Sequence, residues 1–415
     1  MKFYSICIIG LGYIGLPTAA VFAKHGMNIK GVDINQYTVD TINQGGIHIE
    51  EPGLEELVKD AVDKNLLKAY TTPQKADAFI MAVPTPFKGE DHEPNLDYIE
   101  AATRALAKVL EKGNLVILES TSPVGTTEKM SAWLAEERPD LSFPDTAGEA
   151  SDIRIAHCPE RVLPGQAMRE LIENNRIIGG MTPRCTEEAT KLYKIFLEGD
   201  CVATNTRTAE MCKLTENAFR DVNIAFANEL SLICDKQGMD VWELINLANL
   251  HPRVNVLQPG PGVGGHCIAV DPWFIVSQSP EQAKIIRTAR EVNDGKPAWV
   301  VEKVMRAHKR SVARGKKAED IKVAVFGVAF KPDIDDLRES PALQIAETLL
   351  KELDSQFLIV EPNIEELPAS LAGAKLVDAS YAKEAADISV MLVAHKEFAG
   401  MSSSTDCEHI CVVKV

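Results

Sequence analysis

Apolar residues fall along this chain in two rhythms, short unbroken runs and longer stripes at helical spacing. Ser5 to Ile9, Asn28 to Val32, Ala78 to Val83, Leu115 to Leu118 and Ile153 to His157 are short, mostly apolar runs. Ser5 to Ile9 predicts a buried strand of a parallel sheet, and the other runs predict further strands of that sheet. An Ala-rich stretch to about His25, closed by Gly26, predicts a helix between the first two. From residue 207 the rhythm changes. No proline or glycine interrupts the chain until Gly238, and Leu214, Ala218, Val222 and Ala225 form one apolar stripe, which predicts a single long helix. Helical spacing continues over Val241 to Ala248 and over residues 281 to 312. The charged stretch His308 to Asp320 reads as a linker. Strand-like runs then return at Ile321 to Ala329, Phe357 to Val360 and Asp387 to Val393, with a helix starting near Ser340. The pattern predicts an α/β fold of two parallel-sheet domains joined by a central helical segment with a long helix. The expected divisions are residues 1–205, 206–307 and 308–415.

The residues just past the first strand make the first domain specific. Gly10-Leu-Gly12-Tyr-Ile-Gly15 leads directly from strand to helix, and the second strand closes on Asp33. This is a dinucleotide fingerprint. Gly10 makes the turn, Gly12 lets backbone amides approach a pyrophosphate, and Gly15 packs helix on strand. Asp33 suits a ribose 2'-hydroxyl and so favours NAD over NADP. The other strand ends carry Pro84-Thr85-Pro86, Glu119-Ser-Thr121 through Thr126, and Cys158-Pro-Glu160-Arg161. Ligands of open parallel sheets sit beyond such ends, although Pro, Ser and Thr are also ordinary turn formers. The third region alternates strand and helix as the first does, without GxGxxG. Both sheet domains therefore read as Rossmann-like, with only the first expected to hold NAD.

Composition narrows the remaining classes. The net charge of -16 and the absence of a basic tract exclude a general nucleic-acid binder. The nine cysteines include no CxxC pair, so neither a zinc site nor a disulfide framework is expected, and no metal is expected. Reduced thiols fit a cytoplasmic protein. Residues Tyr4 to Ala23 are uncharged and follow Lys2, as in a signal peptide, but three glycines and Pro17 interrupt them where the dinucleotide turn needs them. No membrane partner is expected.

Two further stretches carry candidate chemistry. Gln258-Pro-Gly-Pro-Gly262 bends into Val-Gly264-Gly265-His266-Cys267, with Asp271-Pro272 beyond. Glycines before a thiol permit a bulky ligand near the backbone. If Cys267 opens a helix, Asp271 shares its face and the helix N-terminus favours a thiolate. Cys267 then reads as a covalent nucleophile, against the alternative of an inert buried thiol in a glycine-rich loop. On the long helix, Lys213, Asn217 and Arg220 share a face. That face is either solvated or meets a polar ligand with negative charge.

Taken in order, these pieces resemble the UDP-glucose/UDP-mannose dehydrogenase family, NAD-dependent nucleotide-sugar 6-dehydrogenases, from Ile6 to about Glu397. The most specific stretches are Gly262 to Pro272, Ala209 to Asn217, and Phe330-Lys331 through Arg338-Glu-Ser340. Within the family, Cys158 to Gly165, with Pro164, and Ile268-Ala-Val-Asp271 resemble the branch acting on UDP-N-acetyl-D-mannosamine. UDP-glucose or another UDP-hexose is the alternative substrate. A two-electron hydroxyacid dehydrogenase would need no thiol, and a non-catalytic nucleotide-sugar sensor is the alternative outside enzymes. The resemblance implies a four-electron oxidation at C6 through aldehyde, thiohemiacetal and cysteine thioester, making a uronate for bacterial surface polysaccharide of the enterobacterial common antigen type. It implies Cys267 as nucleophile and Lys213 on the oxyanion. Asp271 would act through a water, with Asn217 and Thr121 orienting, and Glu160 would serve hydrolysis. Arg161, Val162, Lys213, Asn217, Arg220, His251, Arg253, Gly264, Phe330 and Lys331 match UDP-sugar contacts. Gly10, Gly12, Tyr13, Ile14, Gly15, Asp33, Thr85, Thr126 and Arg338 match NAD contacts. Contacts near Arg253 imply a homodimer. The tail from Met401 departs from the family, although Cys411 to Val415 still suits a last strand.

Overall fold

A computed structural model describes residues 2–89, 92–163, 165–265, 267–401 and 407–414. Pro164, His266 and residues 402–406 and 415 of the tail therefore lie outside the described residues. The chain forms two compact units, Met1–Glu216 and Asn217–Val415. The long helix, Thr206–Gln237, contributes to both.

The first unit is built on eight strands: β1 (Ser5–Ile9), β2 (Asn28–Val32), β3 (Leu67–Tyr70), β4 (Ala78–Met81), β7 (Leu115–Leu118), β8 (Arg154–His157), β9 (Arg176–Gly180) and β10 (Cys201–Asn205). A two-residue hairpin, β5 (Phe87–Lys88) and β6 (Glu93–Pro94), stands apart. The sheet order is β10-β9-β8-β7-β4-β1-β2-β3. Every pairing is parallel except β8 with β9, where Ala156 faces Gly180. The order reverses between β2 and β4 around β1, which opens a crevice at the carboxyl ends. Alternate residues of one strand enter different cores. Ile6 and Ile8 join one cluster with Leu16, Phe22 and Ile29, while Cys7 and Ile9 join another with Phe79, Leu106 and Met130. Helices cover both faces, so neither set can be polar. Burial of each such side chain contributes about 1.5–3 kcal/mol.

The second unit carries a five-stranded, wholly parallel sheet of β11 (Lys322–Phe326), β12 (Gln356–Val360), β13 (Lys375–Leu376), β14 (Ile388–Met391) and β15 (Glu408–Cys411), in the order β13-β12-β11-β14-β15. Its strands split in the same way. Val323 and Val325 pack with Ile345, and Ala324 and Phe326 pack with Phe398. Three sequence expectations change here. The last strand is Glu408–Cys411, ending where a strand was expected to begin. The stretch expected as a linker from His308 is helical through Ala313, because Val304, Ala307 and His308 are buried on the helix Lys284–Ala313. Cys267 does not open a helix. The helix begins at Asp271, whose amide bonds the Cys267 carbonyl at 2.8 Å. Among the described residues no helix is long and apolar enough to cross a membrane.

Candidate active site

A nucleotide cradle forms where β1, β2 and β4 end. Gly10 turns the chain with φ of +92°, and its amide bonds Val32 O at 2.8 Å. A Cβ on Gly10 would stand 2.5 Å from Ala82 O, and one on Gly15 would stand 1.8 Å from Gly10 O. Gly12 differs, because a Cβ there would meet nothing within 4 Å. The space above its amide is open, as a pyrophosphate requires. Asp33 is half-buried and accepts the Leu11 amide at 3.1 Å and the Asn35 amide at 2.9 Å, so its carboxylate is held at the end of β2. Tyr13 is 40% exposed on the same turn, with Ile14 beside it at the start of the helix Gly15–Lys24. Thr85 Oγ1, just past β4, is buried and has no hydrogen-bond partner among the described residues. An orphaned hydroxyl and an open glycine fit a dinucleotide. Thr126 opens the helix Thr126–Glu137, with its hydroxyl on Pro123 O at 2.6 Å. Buried Glu210 steadies that helix start by accepting the Gly125 and Thr127 amides at 2.6 and 2.8 Å, and burial pushes its pKa up.

A second cluster lies past β7 and β8. Thr121 is half-buried there. Glu160 is 6% exposed and accepts the Arg161 amide at 2.5 Å and Arg176 Nη2 at 2.9 Å. Arg161 grips Glu216 through Nε at 3.1 Å and Nη2 at 2.7 Å, while Val162 packs on the core. Glu51 accepts the Gly165 and Ala167 amides at 2.7 and 2.8 Å and so fastens the far side of this loop. Sequence reasoning missed Glu51, Arg176 and Tyr193, and it passed over Glu119 and Glu210 without giving them a role. Each acts on a group far away in the chain.

Lys213 is half-buried on the long helix, one turn before Asn217. In the second unit, Asn217 Nδ2 donates to Asp271 Oδ2 at 2.5 Å, and Asp271 is 4% exposed. Cys267 is exposed on the turn before the helix Asp271–Gln278, its carbonyl accepting from Val270 at 3.1 Å and Asp271 at 2.8 Å. The glycines before it meet protein. A Cβ on Gly264 would stand 2.4 Å from Glu339 O and 3.2 Å from Phe330 Cβ, and one on Gly265 would stand 3.3 Å from the Phe330 ring. The thiol loop therefore lies against the Phe330–Glu339 loop, in which Asp333 and Glu339 adopt positive φ. Such backbone strain gathers at functional sites. The loop's other end is anchored by Asn228, which accepts the Gly260 amide at 2.9 Å and donates to Asn293 at 2.8 Å. Lys331 is half-buried, and Arg338 is exposed and forked onto Asp336 at 2.9 and 2.7 Å. Arg220, His251 and Arg253 are exposed, the last with its amide 3.3 Å from His251 Nδ1.

A thiol, a carboxylate on an amide, and an anchored aromatic in one unit suit covalent chemistry on a ligand's carbonyl. The other unit suits a dinucleotide. Comparison with known proteins matches the chain to three family domains. Residues 4–197 match the NAD binding domain of the UDP-glucose/GDP-mannose dehydrogenase family, residues 207–295 its central domain and residues 324–411 its UDP binding domain. A UDP-N-acetyl-D-mannosamine dehydrogenase of Yersinia pestis is 65% identical over 400 residues, covering 96% of this chain and 95% of that one. One of Campylobacter jejuni is 65% identical over 408 residues, covering 97% and 98%. The structure of a UDP-N-acetyl-mannosamine dehydrogenase from Staphylococcus aureus superposes with a TM-score of 0.83 at 40% identity, covering 99% and 98%. The chain belongs to the UDP-glucose/GDP-mannose dehydrogenase family, and its cofactor is NAD.

Proposed function

We propose that the chain oxidises UDP-N-acetyl-D-mannosamine at C6 to the uronate, in the cytoplasm, for a bacterial surface polysaccharide. The observation that carries the chemistry is the Asn217–Asp271 hydrogen bond at 2.5 Å, on the helix that the Cys267 turn opens. The relatives at 65% identity support the sugar. NAD, when bound, supplies the hydride acceptor for both oxidations. The chain's residues do the rest. Lys213 stabilises the developing oxyanion, a contribution of about 2.7–4 kcal/mol for comparable donors. The Cys267 thiolate adds to the C6 aldehyde, since an aldehyde carbon has no alcohol C–H and O–H pair to lose until a nucleophile adds. Asp271 acts as base through a water, Asn217 and Thr121 orient that water or the substrate oxygen, and Glu160 contributes to hydrolysis. Arg161, Val162, Arg220, His251, Arg253, Gly264, Phe330 and Lys331 contact the UDP-sugar. Tyr13, Ile14, Asp33, Thr85, Thr126 and Arg338 contact the cofactor. The three parts, 1–205, 206–307 and 308–415, bind cofactor, pair subunits and bind UDP-sugar. A homodimer is supported by Phe219 and Phe226, 71% and 54% exposed at i, i+7 on the long helix, and by Leu247 and Leu250, 60% and 78% exposed.

The test is Cys267→Ala with UDP-N-acetylmannosamine, NAD and a carbonyl trap, read by mass spectrometry. Wild type should give about two NADH per sugar and an acid, and the variant at most about one NADH with trapped aldehyde. Uronate from the variant at the wild-type rate would return Cys267 to an inert thiol. A higher kcat/KM with UDP-glucose would overturn the sugar assignment alone.

A further inference from the structure

A buried charge cluster stands immediately behind Glu160. The Arg176 guanidinium, 4% exposed at the start of β9, is shared between two carboxylates. Nη1 meets Glu119 Oε1 at 2.7 Å and Nη2 meets Glu160 Oε2 at 2.9 Å. Glu119 directly follows β7, two residues before Thr121, and is 1% exposed. The Tyr193 hydroxyl donates to Glu119 Oε1 at 3.1 Å, and the Tyr193 ring lies 4.3 Å from the Arg176 guanidinium carbon. Glu119 Oε2 has no partner among the described residues. Two acids share one buried cation, one acid more than a simple charge pair holds. Replacing such a cluster by apolar side chains is often neutral or stabilising, so stability does not explain it. Burial pushes the Glu119 pKa up to about 7, and the carboxylates around Arg176 raise its own despite burial.

We propose that Arg176, braced by Glu119 and Tyr193, is a positioning residue that sets Glu160 for hydrolysis of the Cys267 thioester. The guanidinium is planar, so gripping Glu119 with one edge fixes where the other edge holds Glu160. Glu160 takes one hydrogen bond on each oxygen, from Arg161 N and Arg176, and each oxygen keeps a lone pair to accept from a water. That water's oxygen bonds to the thioester carbon and the carbon–sulfur bond breaks. The sulfur leaves with the electron pair as thiolate, and a uronate and two protons to solvent complete the balance. The inference rests on Glu160 acting in hydrolysis, as proposed above.

The experiment follows NADH by rapid mixing in Arg176→Lys, Glu119→Ala, Glu119→Gln and Glu160→Gln full-length proteins, with intact-protein mass spectrometry. Lysine keeps the charge and loses the fork. Arg176→Lys should keep the NADH burst, lower the steady-state rate by about 10- to 100-fold, and accumulate a mass adduct on Cys267. KM for the sugar should fall in step with the steady-state rate, leaving kcat/KM within about twofold, because hydrolysis follows the steps that commit the sugar to the enzyme. Glu119→Ala should act in the same direction and Glu119→Gln should restore most of the rate, since glutamine still accepts from Arg176 and Tyr193. If Arg176→Lys does not fold, the Glu119 pair decides alone. A burst lost in step with the steady state would mean a structural role only. Adduct in Glu160→Gln but none in the Arg176 and Glu119 variants would overturn this inference. No adduct in Glu160→Gln would overturn the role of Glu160 itself.

Discussion

The two sheets begin alike and end differently. After β1, Gly10 takes φ of +92° and bonds Val32 O at 2.8 Å. After β11, Gly327 takes φ of +82° and bonds Val360 O at 2.8 Å. In each sheet the next strand closes on an acid that reaches back to the turn. Asp33 accepts the Leu11 amide at 3.1 Å, and Glu361 accepts the Val328 and Ala329 amides at 2.8 and 3.1 Å. There the likeness stops. Asp33 stays half-buried, and Thr85 Oγ1, in the loop past β4 of the same sheet, has no partner among the described residues. Glu361 is 3% exposed and also takes His395 Nε2 at 3.0 Å and Asn363 at 3.2 Å. His395 Nδ1 accepts the Asp333 amide at 2.9 Å, so its proton lies on Nε2 and both nitrogens are committed. Asp333, His395 and Glu397 sit close enough to suggest a metal site, yet His395 has no nitrogen left to give. Strand, glycine, strand and acid thus mark a nucleotide site only where the acid remains open. Where it is sealed, the same pieces are a clasp.

Breaking the clasp should have the largest effect. Glu361→Ala leaves two buried amides and the His395 N–H without an acceptor, at about 1–3 kcal/mol each. The expected loss is about 3 kcal/mol or more, read as a lower urea midpoint by fluorescence, since Trp242, Trp273 and Trp299 all lie in the second unit. Asp33→Ala should cost under about 1 kcal/mol in the same assay. Equal losses would erase the distinction. The pH dependence comes from the sign of the shift. Burial raises the Glu361 pKa, but the bonds from His395 and the amides outweigh it and hold it below its ordinary value. Its stabilisation is therefore present above the ordinary carboxylate value and is lost as pH falls through the depressed one. Glu361→Ala should flatten that acid limb of the stability curve.

The strands at Ser5–Ile9, Asn28–Val32, Ala78–Met81, Leu115–Leu118 and Arg154–His157 and the open half of this comparison were legible in the sequence, whereas Leu67–Tyr70, Cys201–Asn205, Lys375–Leu376 and the sealed half were not. Ser5–Ile9 and Gly10 through Gly15 announce a dinucleotide turn because backbone geometry demands glycine there. Glu361 reads only as an acid after a strand. Its burial depends on His395, 34 residues later, which no local rule reaches. The strand Arg176–Gly180 was hidden for a related reason. It begins with an arginine and ends in two glycines, and it pairs antiparallel with β8. The charge that disguised it is matched by Glu119, 57 residues earlier. The glycines before Cys267 were legible as close approach, but what approaches is Phe330 and Glu339 O. Only the folded loop shows that.

Altering the open acid should sharpen the comparison from the other side. Asp33→Ala removes the carboxylate that we propose accepts from a ribose 2'-hydroxyl and repels a 2'-phosphate. A bond to a charged group is worth about 1.5–3 kcal/mol, so kcat/KM with NAD should fall by about tenfold or more, and the preference over NADP should narrow. Folded Glu361→Ala protein should keep its KM for NAD. A cofactor preference unchanged in Asp33→Ala would show that Asp33 serves only the Leu11 and Asn35 amides.

The smallest expected effect separates orphaned from committed hydroxyls. Thr85 Oγ1 is buried without a partner among the described residues, whereas Ser340 Oγ donates to Val328 O at 2.7 Å and accepts the Leu343 amide at 3.2 Å. Thr85→Val keeps the shape and removes the hydroxyl. An unpartnered buried hydroxyl costs the folded chain its desolvation, so losing it should leave stability unchanged or slightly raised. If bound NAD supplies the missing partner, KM for NAD should rise by about 2- to 10-fold, the range of one hydrogen bond of about 0.5–1.5 kcal/mol. Ser340→Ala should do the reverse, losing about 0.5–2 kcal/mol of stability through its helix cap with KM for NAD unmoved. Both are measured by urea melts and by initial rates at varied NAD. A Thr85→Val protein with lowered stability and unchanged KM would mean that the hydroxyl finds its partner within the chain, and the open edge of the first sheet would then begin further from β4.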